Sequence, residues 1–308
     1  MKVLSLFDGI SCGRVALERA GIPVEVYYAS EIEQKPIEIS KKNYPDIIQV
    51  GDVKDVLYYY QAERMKQDID LIIGGSPCQS FSNAGNRAGF DGKSGLFYEY
   101  VRILNEVKPK YFILENVKMK QEWQDIISKE LGVEPIEINS NLVSGQNRKR
   151  LYWVGKLRPN GRYSQVEITQ PQDKGIYLQD ILETDVDEKY YLNESQIKTI
   201  NRNFGSKGKT IVLDEDSMIE KITYPSRINQ KLGKIKAPTL VAAMGMGGGN
   251  VPVIVRNGRI RKLTEIECER LQTLPDNYTA GVSSTGRYKA IGNGWTVDVI
   301  AHILSFIN

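Results

Sequence analysis

The sequence predicts an α/β protein with a mainly parallel sheet and a smaller, irregular, β-rich segment placed late in the chain. Three observations carry that prediction. Short apolar runs alternate with stretches of helical spacing through the first 156 residues. Several of those runs end on glycine, acid or amide residues, which is where an open parallel sheet gathers its chemistry. Between about Leu157 and Val255 the alternation fades into short β-like pieces and turns, with Gly245-Met246-Gly247-Gly248-Gly249-Asn250 as the most flexible point.

The bulk numbers set limits on the rest. With 308 residues, 41% hydrophobic and 26% charged, the chain can bury a large core as one big or two modest domains. No stretch approaches the roughly 20 apolar residues of a membrane span, and nothing at Met1 to Asp8 reads as a leader, so a cytoplasmic protein is expected. Cys12, Cys78 and Cys268 are far apart and odd in number, and the chain has one His, which argues against a disulfide and against a metal site. The formal charge is only +3. Between Lys156 and Lys262, however, 18 Lys and Arg face 12 Asp and Glu, so that segment carries +6 and the remainder −3. This is a mildly basic surface, which solvated faces also produce.

Taken in order, Lys2 to Phe7 reads as a central strand. Phe7-Asp8-Gly9-Ile10-Ser11-Cys12-Gly13 then turns it into a helix with apolar positions at Val15, Leu17 and Ala20. The turn lacks the Gly-x-Gly-x-x-Gly spacing of dinucleotide sites, and two glycines alone identify nothing. Val26 to Ser30 reads as a second strand ending at Glu31, and Ile47 to Val50 as a third ending at Gly51-Asp52. An acid after the second strand is where a Rossmann-like fold holds ribose hydroxyls. Either acid alone serves equally as a helix cap or a solvated loop residue; the three strand ends together predict a nucleoside-bearing cofactor.

Asp70-Leu71-Ile72-Ile73 reads as a buried strand, followed by Gly-Gly-Ser-Pro-Cys-Gln-Ser-Phe-Ser over Gly74 to Ser82. Pro77 fixes its own φ and the glycines allow close approach, a loop shaped to present Cys78; a small buried thiol is the alternative. Asn83 to Gly95, with Arg87 and Lys93, has no apolar periodicity and reads as a lid or a plain surface loop. Leu96 to Val107 reads as a helix and Tyr111-Phe112-Ile113-Leu114 as a strand ending on Glu115-Asn116-Val117. Arg150 to Gly155 is a further strand. The preceding Gln146-Asn147-Arg148-Lys149-Arg150 puts two arginines on one side if extended, as a basic turn or as a hold on an anionic or carbonyl-rich ligand. Leu263 to Leu271 reads as a helix capped by Thr264. The last helix follows Gly292-Asn293-Gly294-Trp295 and buries Val299, Ile300, Ile303, Leu304 and Ile307, with His302 a structural or surface residue.

These stretches, in this order, resemble the motifs of the DNA cytosine-5 methyltransferases over nearly the whole chain outside 157 to 255. The first three look closest to the mammalian de novo enzymes, and Gln146 to Arg150 to bacterial or phage members. Cys12 stands where the family often has another small residue, and 157 to 255 matches no recognition domain that we identify.

The resemblance implies a Rossmann-like fold that uses S-adenosyl-L-methionine. The catalytic domain would be 1–156, a target recognition domain 157–255, and 256–308 a return to the catalytic domain. Cofactor contacts would come from Phe7, Asp8, Gly9, Ile10, Cys12 and Gly13, from Glu31 and Ile32 at the ribose, from Asp52 and Val53 at the adenine, and from Pro77, Asn293 and Trp295. Cys78 would be the nucleophile, and Glu115 would bind the cytosine ring at nitrogen 3 and its amine. Arg150 would hold the carbonyl oxygen and Arg148 would brace the loop and the glutamate. Gln79, Ser80, Ser82 and Arg87 would contact DNA. The implied partner is double-stranded DNA, with no membrane and no metal; a cognate restriction endonuclease and the oligomeric state stay open. Two rivals remain: an RNA cytosine-5 methyltransferase of the same fold, and an inactive DNA-binding accessory protein. The second is disfavoured because Cys78, Glu115, Arg148 and Arg150 are all present.

Overall fold

The computed structural model describes residues 1–62, 65, 68–77, 95–205, 216–219, 228–229, 232–246 and 249–307, with the side chains of 204–205 and 228–229 left aside. The chain divides into two units: 1–139, 149–171 and 297–308 form the first, and 140–148 and 172–296 the second.

The first unit is a sheet covered by helices. Its strands are β1 (Lys2–Leu6), β2 (Val26–Ser30), β3 (Ile48–Gln49), β4 (Leu71–Gly74), β5 (Tyr111–Val117), β6 (Pro135–Asn139), β7 (Lys149–Leu157) and β8 (Tyr163–Gln165). They lie in the order β3-β2-β1-β4-β5-β7-β6, with β8 also on β7. From β3 to β5 every pairing is parallel, and around β7 every pairing is antiparallel. Parallel strands buried on both faces should be near-continuous apolar runs, and Leu71–Gly74 and residues 111–114 are buried at every position. Helices α1 (Cys12–Arg19), α2 (Gln34–Asn43), α3 (Val56–Gln61), α4 (Leu96–Val107) and α5 (Gln121–Leu131) connect them. One core unites β1, β4 and β5 with α4 through Leu4, Leu6, Ile72, Phe97, Tyr100, Ile103, Phe112, Leu114 and Trp153.

Several sequence expectations meet the structure closely. The second strand and the 96–107 helix have the expected bounds. Three helices, α2, α3 and α5, go unannounced because their apolar faces are narrow: α2 buries only Pro36, Ile39 and Ser40. The third strand shrinks to two residues at the sheet's edge, where a single neighbour pairs with it.

The second unit holds a small antiparallel sheet of β9 (Ser217–Ile219), β10 (Ile228–Asn229), β11 (Val253–Arg256) and β12 (Arg259–Lys262) in the order β10-β9-β11-β12. With it go α6 (Leu178–Ile181), α7 (Glu194–Gly205), α8 (Glu265–Leu271) and α9 (Ser284–Asn293). The Thr264 hydroxyl accepts the Glu267 N–H and the Glu267 carboxylate accepts the Thr264 N–H, the reciprocal cap that starts α8. Glu267 is fully buried and also takes both ends of the Arg261 guanidinium, at 2.7 and 2.8 Å. The sequence reading places 157–255 in one recognition domain; in the structure β8, at 163–165, hydrogen-bonds to β7 and so belongs to the first unit's sheet.

α10 (Val297–Leu304) returns to the first unit and packs on α1. Val299, Ile300, Ile303, Leu304 and Ile307 are buried as the periodicity predicts. His302 keeps to the surface, its ring Nε2 2.7 Å from the Thr169 carbonyl oxygen.

Candidate active site

The turn after β1 reverses the chain at the carboxyl end of the sheet. Phe7, Gly9 and Ser11 have φ of 57°, 61° and 58°. For the two that are not glycine this left-handed backbone costs on the order of 1 kcal/mol each. Hydrogen bonds hold it: the Asp8 amide donates to the Ser30 carbonyl at the end of β2 (3.0 Å), and the Ser11 amide to the Asp8 carbonyl (3.2 Å). Gly13, in the first turn of α1, lies so near the sheet that a Cβ there would stand 2.2 Å from Ile73 Cδ1 and 2.9 Å from the Tyr27 hydroxyl. Ile10 and Cys12 are buried under the turn.

Glu31 follows β2, and its carboxylate accepts three backbone N–H groups: Gly9 on Oε2 at 2.9 Å, and Ile32 and Glu33 on Oε1 at 2.7 and 2.8 Å. A carboxylate has about four acceptor positions, so Oε2 keeps room for another donor. Asp52 Oδ1 accepts the Lys54 N–H at 3.0 Å, capping the short 3-10 turn Val53–Asp55, while its Oδ2 engages no partner among the described residues. Val53 is buried, whereas Ile32, beside Glu31, is 71% exposed. Two carboxylates with spare acceptors and an apolar side chain left in water fit the hydroxyls, the amine and the flat ring of a nucleoside.

Asp8 differs from both. Its carboxylate accepts the hydroxyls of Ser11 (2.5 Å) and Tyr27 (2.7 Å), and Ser11 is in turn 2.6 Å from the Ser40 hydroxyl. Desolvation pushes its pKa up to about 6; the hydroxyl donors oppose the shift and the nearby Glu31 charge adds to it.

A second cluster stands where β5 meets β7. The register sets Glu115 opposite Tyr152 and Val117 opposite Arg150, so Glu115 and Arg150 are diagonal neighbours on one face. Arg150 Nε lies 2.9 Å from Glu115 Oε1, with both side chains nearly buried. The Asn116 amide donates to the Ser76 hydroxyl (3.2 Å) and carbonyl (3.5 Å), while its Oδ1 accepts the Val117 N–H (2.8 Å). The end of β5 thereby fastens the segment leaving β4, with Pro77 half-buried one residue on. Cys78, Gln79, Ser80, Ser82 and Arg87 lie outside the described residues.

In the second unit, Arg148 stands just before β7, whereas Arg150 is inside it. The buried Arg148 guanidinium donates to the carbonyls of Leu240 (2.7 Å), Gly292 (3.2 Å) and Gly294 (2.9 Å). Asn293 ends α9 on the surface, and Trp295 follows half-buried. Two participants escape a reading of the sequence. Tyr27 is one of two tyrosines in β2, and nothing local marks it as the donor to Asp8. Gln272 is fully buried at the end of α8; an amide closing an apolar helical pattern is the one signal it offers.

Among the described residues no helix is long and apolar enough to cross a membrane, and no cluster of three or more His, Cys, Asp or Glu is arranged to hold a metal ion.

Comparison with known proteins first fixes the fold. The methyltransferase EhMeth of Entamoeba histolytica superposes on all of this chain and 97% of its own, with a TM-score of 0.71 at 18% identity. The class follows from sequence: the family model for C-5 cytosine-specific DNA methylases matches residues 1–308, and the chain belongs to that family of methyltransferase enzymes. Among its relatives, the Type II methyltransferase M1.ScrFI of Lactococcus lactis subsp. cremoris is 31% identical over 318 residues, covering 97% of this chain and 76% of that protein. The Type II methyltransferase M.Bsp6I of Bacillus sp. (strain RFL6) is 29% identical over 98% of this chain and 97% of its own.

Proposed function

We propose that this DNA methyltransferase moves the methyl group of S-adenosyl-L-methionine to carbon 5 of cytosine in double-stranded DNA, at one short sequence, through covalent addition of Cys78. The observation that carries the reading is the Glu115–Arg150 pair at the end of β5, beside an asparagine that fastens Ser76 two residues before Cys78.

Cytosine carbon 5 is a poor nucleophile. A Cys78 thiolate adding to carbon 6 turns the ring into an enamine, and a few per cent of an ordinary thiol with pKa near 8.5 is thiolate at neutral pH. Glu115 hydrogen-bonds nitrogen 3 and the exocyclic amine and stabilises the charge that the addition creates. Arg150 orients that carboxylate and holds the ring carbonyl, and Arg148 braces the loop and the glutamate. When bound, S-adenosyl-L-methionine supplies the methyl group that carbon 5 takes up. Loss of the carbon 5 proton and expulsion of Cys78 then restore aromaticity. The residues for the cofactor are the Phe7 to Gly13 turn (Phe7, Asp8, Gly9, Ile10, Cys12, Gly13), with Glu31 on the ribose hydroxyls, Asp52 on the adenine amine, Ile32 and Val53 against the ring, and Pro77, Asn293 and Trp295 closing the pocket.

Reaching carbon 6 requires flipping the base out of the duplex, at a cost of a few kcal/mol. Gln79, Ser80, Ser82 and Arg87 fill the gap it leaves. The segment 157–255 reads the flanking sequence, with its Lys and Arg on phosphates. The Type II names of the relatives support a cognate restriction endonuclease as companion, and the cytoplasm as the place of action. Bisulfite sequencing of DNA from cells expressing the wild type and Cys78→Ala tests the reading. The expected result is 5-methylcytosine in one sequence context with the wild type and none above background with the variant. Residual methylation with Cys78→Ala would sink the addition mechanism, and methylation found in RNA alone would move the substrate.

A further inference from the structure

The second unit contains a hydrogen-bond chain whose polarity leaves no choice of orientation. Gln146 Oε1 accepts the Leu240 N–H at 2.8 Å, so its Nε2 must face the other way, where it donates to the Leu271 carbonyl (3.1 Å) and to Gln272 Oε1 (3.2 Å). Gln272 Oε1 also accepts the Thr296 hydroxyl at 2.9 Å. With its oxygen so engaged, Gln272 must turn Nε2 toward the carbonyls of Ile291 (2.8 Å) and Gly294 (3.0 Å). A glutamine side chain has two donors and room for two acceptances, and Gln272 uses all four. The Gly294 carbonyl is shared, since Arg148 reaches it from the other side at 2.9 Å.

Gln146, Gln272 and Thr296 are almost fully buried, so each unmet partner costs a full desolvation penalty. The chain has one satisfied arrangement. It links two segments remote in sequence: 146–148, which runs into the strand carrying Arg150, and the 292–296 turn, which carries Asn293 and Trp295. We infer that Gln272 is a positioning residue that couples the target-cytosine side of the site to the cofactor side, so that fixing Arg150 on the target cytosine, and with it the 146–148 segment that leads into its strand, also fixes the 292–296 turn. This rests on the proposed roles of those two segments and goes beyond them, because neither role requires that the two ligands sense each other. Coupling of this kind is reciprocal and amounts to about 5- to 150-fold in affinity.

The test is a pair of titrations. S-adenosylhomocysteine, which cannot react, is titrated into the enzyme alone and into the enzyme saturated with a PCR-amplified unmethylated plasmid, and the ratio of the two dissociation constants is the coupling factor. The wild type should show a ratio of about tenfold or more. Gln272→Met keeps the length and removes all four bonds; it should bring the ratio to near one, whatever it does to affinity without DNA. Thr296→Val, nearly isosteric, removes a single donor; it should give an intermediate ratio and decides the question if Gln272→Met does not fold. A wild-type ratio retained in folded Gln272→Met, or in Thr296→Val when that variant is the one left to decide, overturns the coupling role. A wild type that binds S-adenosylhomocysteine and methylates DNA with a ratio of one also overturns it, while leaving the proposed function intact. A wild type that neither binds S-adenosylhomocysteine nor methylates DNA overturns the function itself.

Discussion

The two units solve the same problem, holding polar groups in place, by different means. In the first unit two of the carboxylates proposed for the cofactor are held by main chain: Glu31 takes three backbone amides and Asp52 caps a turn. In the second unit Gln146, Arg148 and Gln272 are side chains holding main chain, the first two across more than 90 residues of sequence and Gln272 across 19 and 22. Backbone donors are present whatever residue supplies them, so the first arrangement tolerates changes around the acid. A network of side chains fails when one member changes. The Glu115–Arg150 pair is an exception within the first unit, since it depends on two side chains and on the antiparallel register that puts them on one face.

The largest expected effect probes that exception. Glu115→Gln keeps the shape but loses the charge, so it should lower the single-turnover methylation rate by about 100- to 1000-fold. Affinity for S-adenosylhomocysteine should barely move, because the main-chain-held acids are untouched. A near-normal rate with weak cofactor binding would place Glu115 on the cofactor side and erase the distinction.

Next comes Asp8, whose carboxylate is held by the hydroxyls of Ser11 and Tyr27 rather than by main chain. Its folded pKa of about 6 lies above the ordinary value, so the folded state pays for ionisation as pH rises from about 4 to about 6. Asp8→Asn removes that penalty. Its stability relative to the wild type should therefore climb across that window, by up to about 3 kcal/mol, and level off above it. Urea titrations of both proteins at several pH values measure it, and a flat difference from pH 4 to pH 7 would show that the carboxylate is not desolvated.

The smallest effect lies in the second unit. The Lys236 ammonium donates to the carbonyls of Asn141 (2.7 Å), Ser144 (3.2 Å) and Ile176, and lies 4.8 Å above the Tyr177 ring. Desolvation pulls its pKa down, against the opposing pull of Asp173 and Asp180. Lys236→Met should cost about 2 kcal/mol and lower Tm by a few degrees. The rate at saturating substrates should fall by far less than in Glu115→Gln. A rate loss as large as that of Glu115→Gln would mean that the 140–148 segment does more than support.

The same contrast decides what the sequence could tell. Glu31, Asp52 and Glu115 are legible because a short apolar strand delivers the next polar residue to the sheet's edge, and both the strand and the residue are local features. Asn116 is legible in place but not in function, since its partner Ser76 lies 40 positions earlier. The second unit's sheet pairs Ser217–Ile219 with residues 253–255, strands too short and too distant for any periodicity to announce. The role of Gln272, though not its place at the end of a helical stretch, is hidden for the same reason: its partners at 146, 291, 294 and 296 converge only in the fold. Helix α2 is missed on different grounds, for its three lysines and Glu38 leave too narrow an apolar face to register.

One feature of the architecture bears on how the protein is made. β1 is a central strand, yet the helix that follows it, α1, is covered by α10, and Arg19 of the one is paired with Asp298 of the other. A ribosome therefore releases β1 and α1 almost 300 residues before the helix that covers α1. Until residues 297–304 emerge, the part of α1 that α10 covers lacks that partner, and chaperones or transient contacts of the nascent chain would have to shield it. Moving α10 ahead of β1 by circular permutation would bring the two together early in synthesis, and the yield of soluble protein at elevated growth temperature would report how much that delay costs.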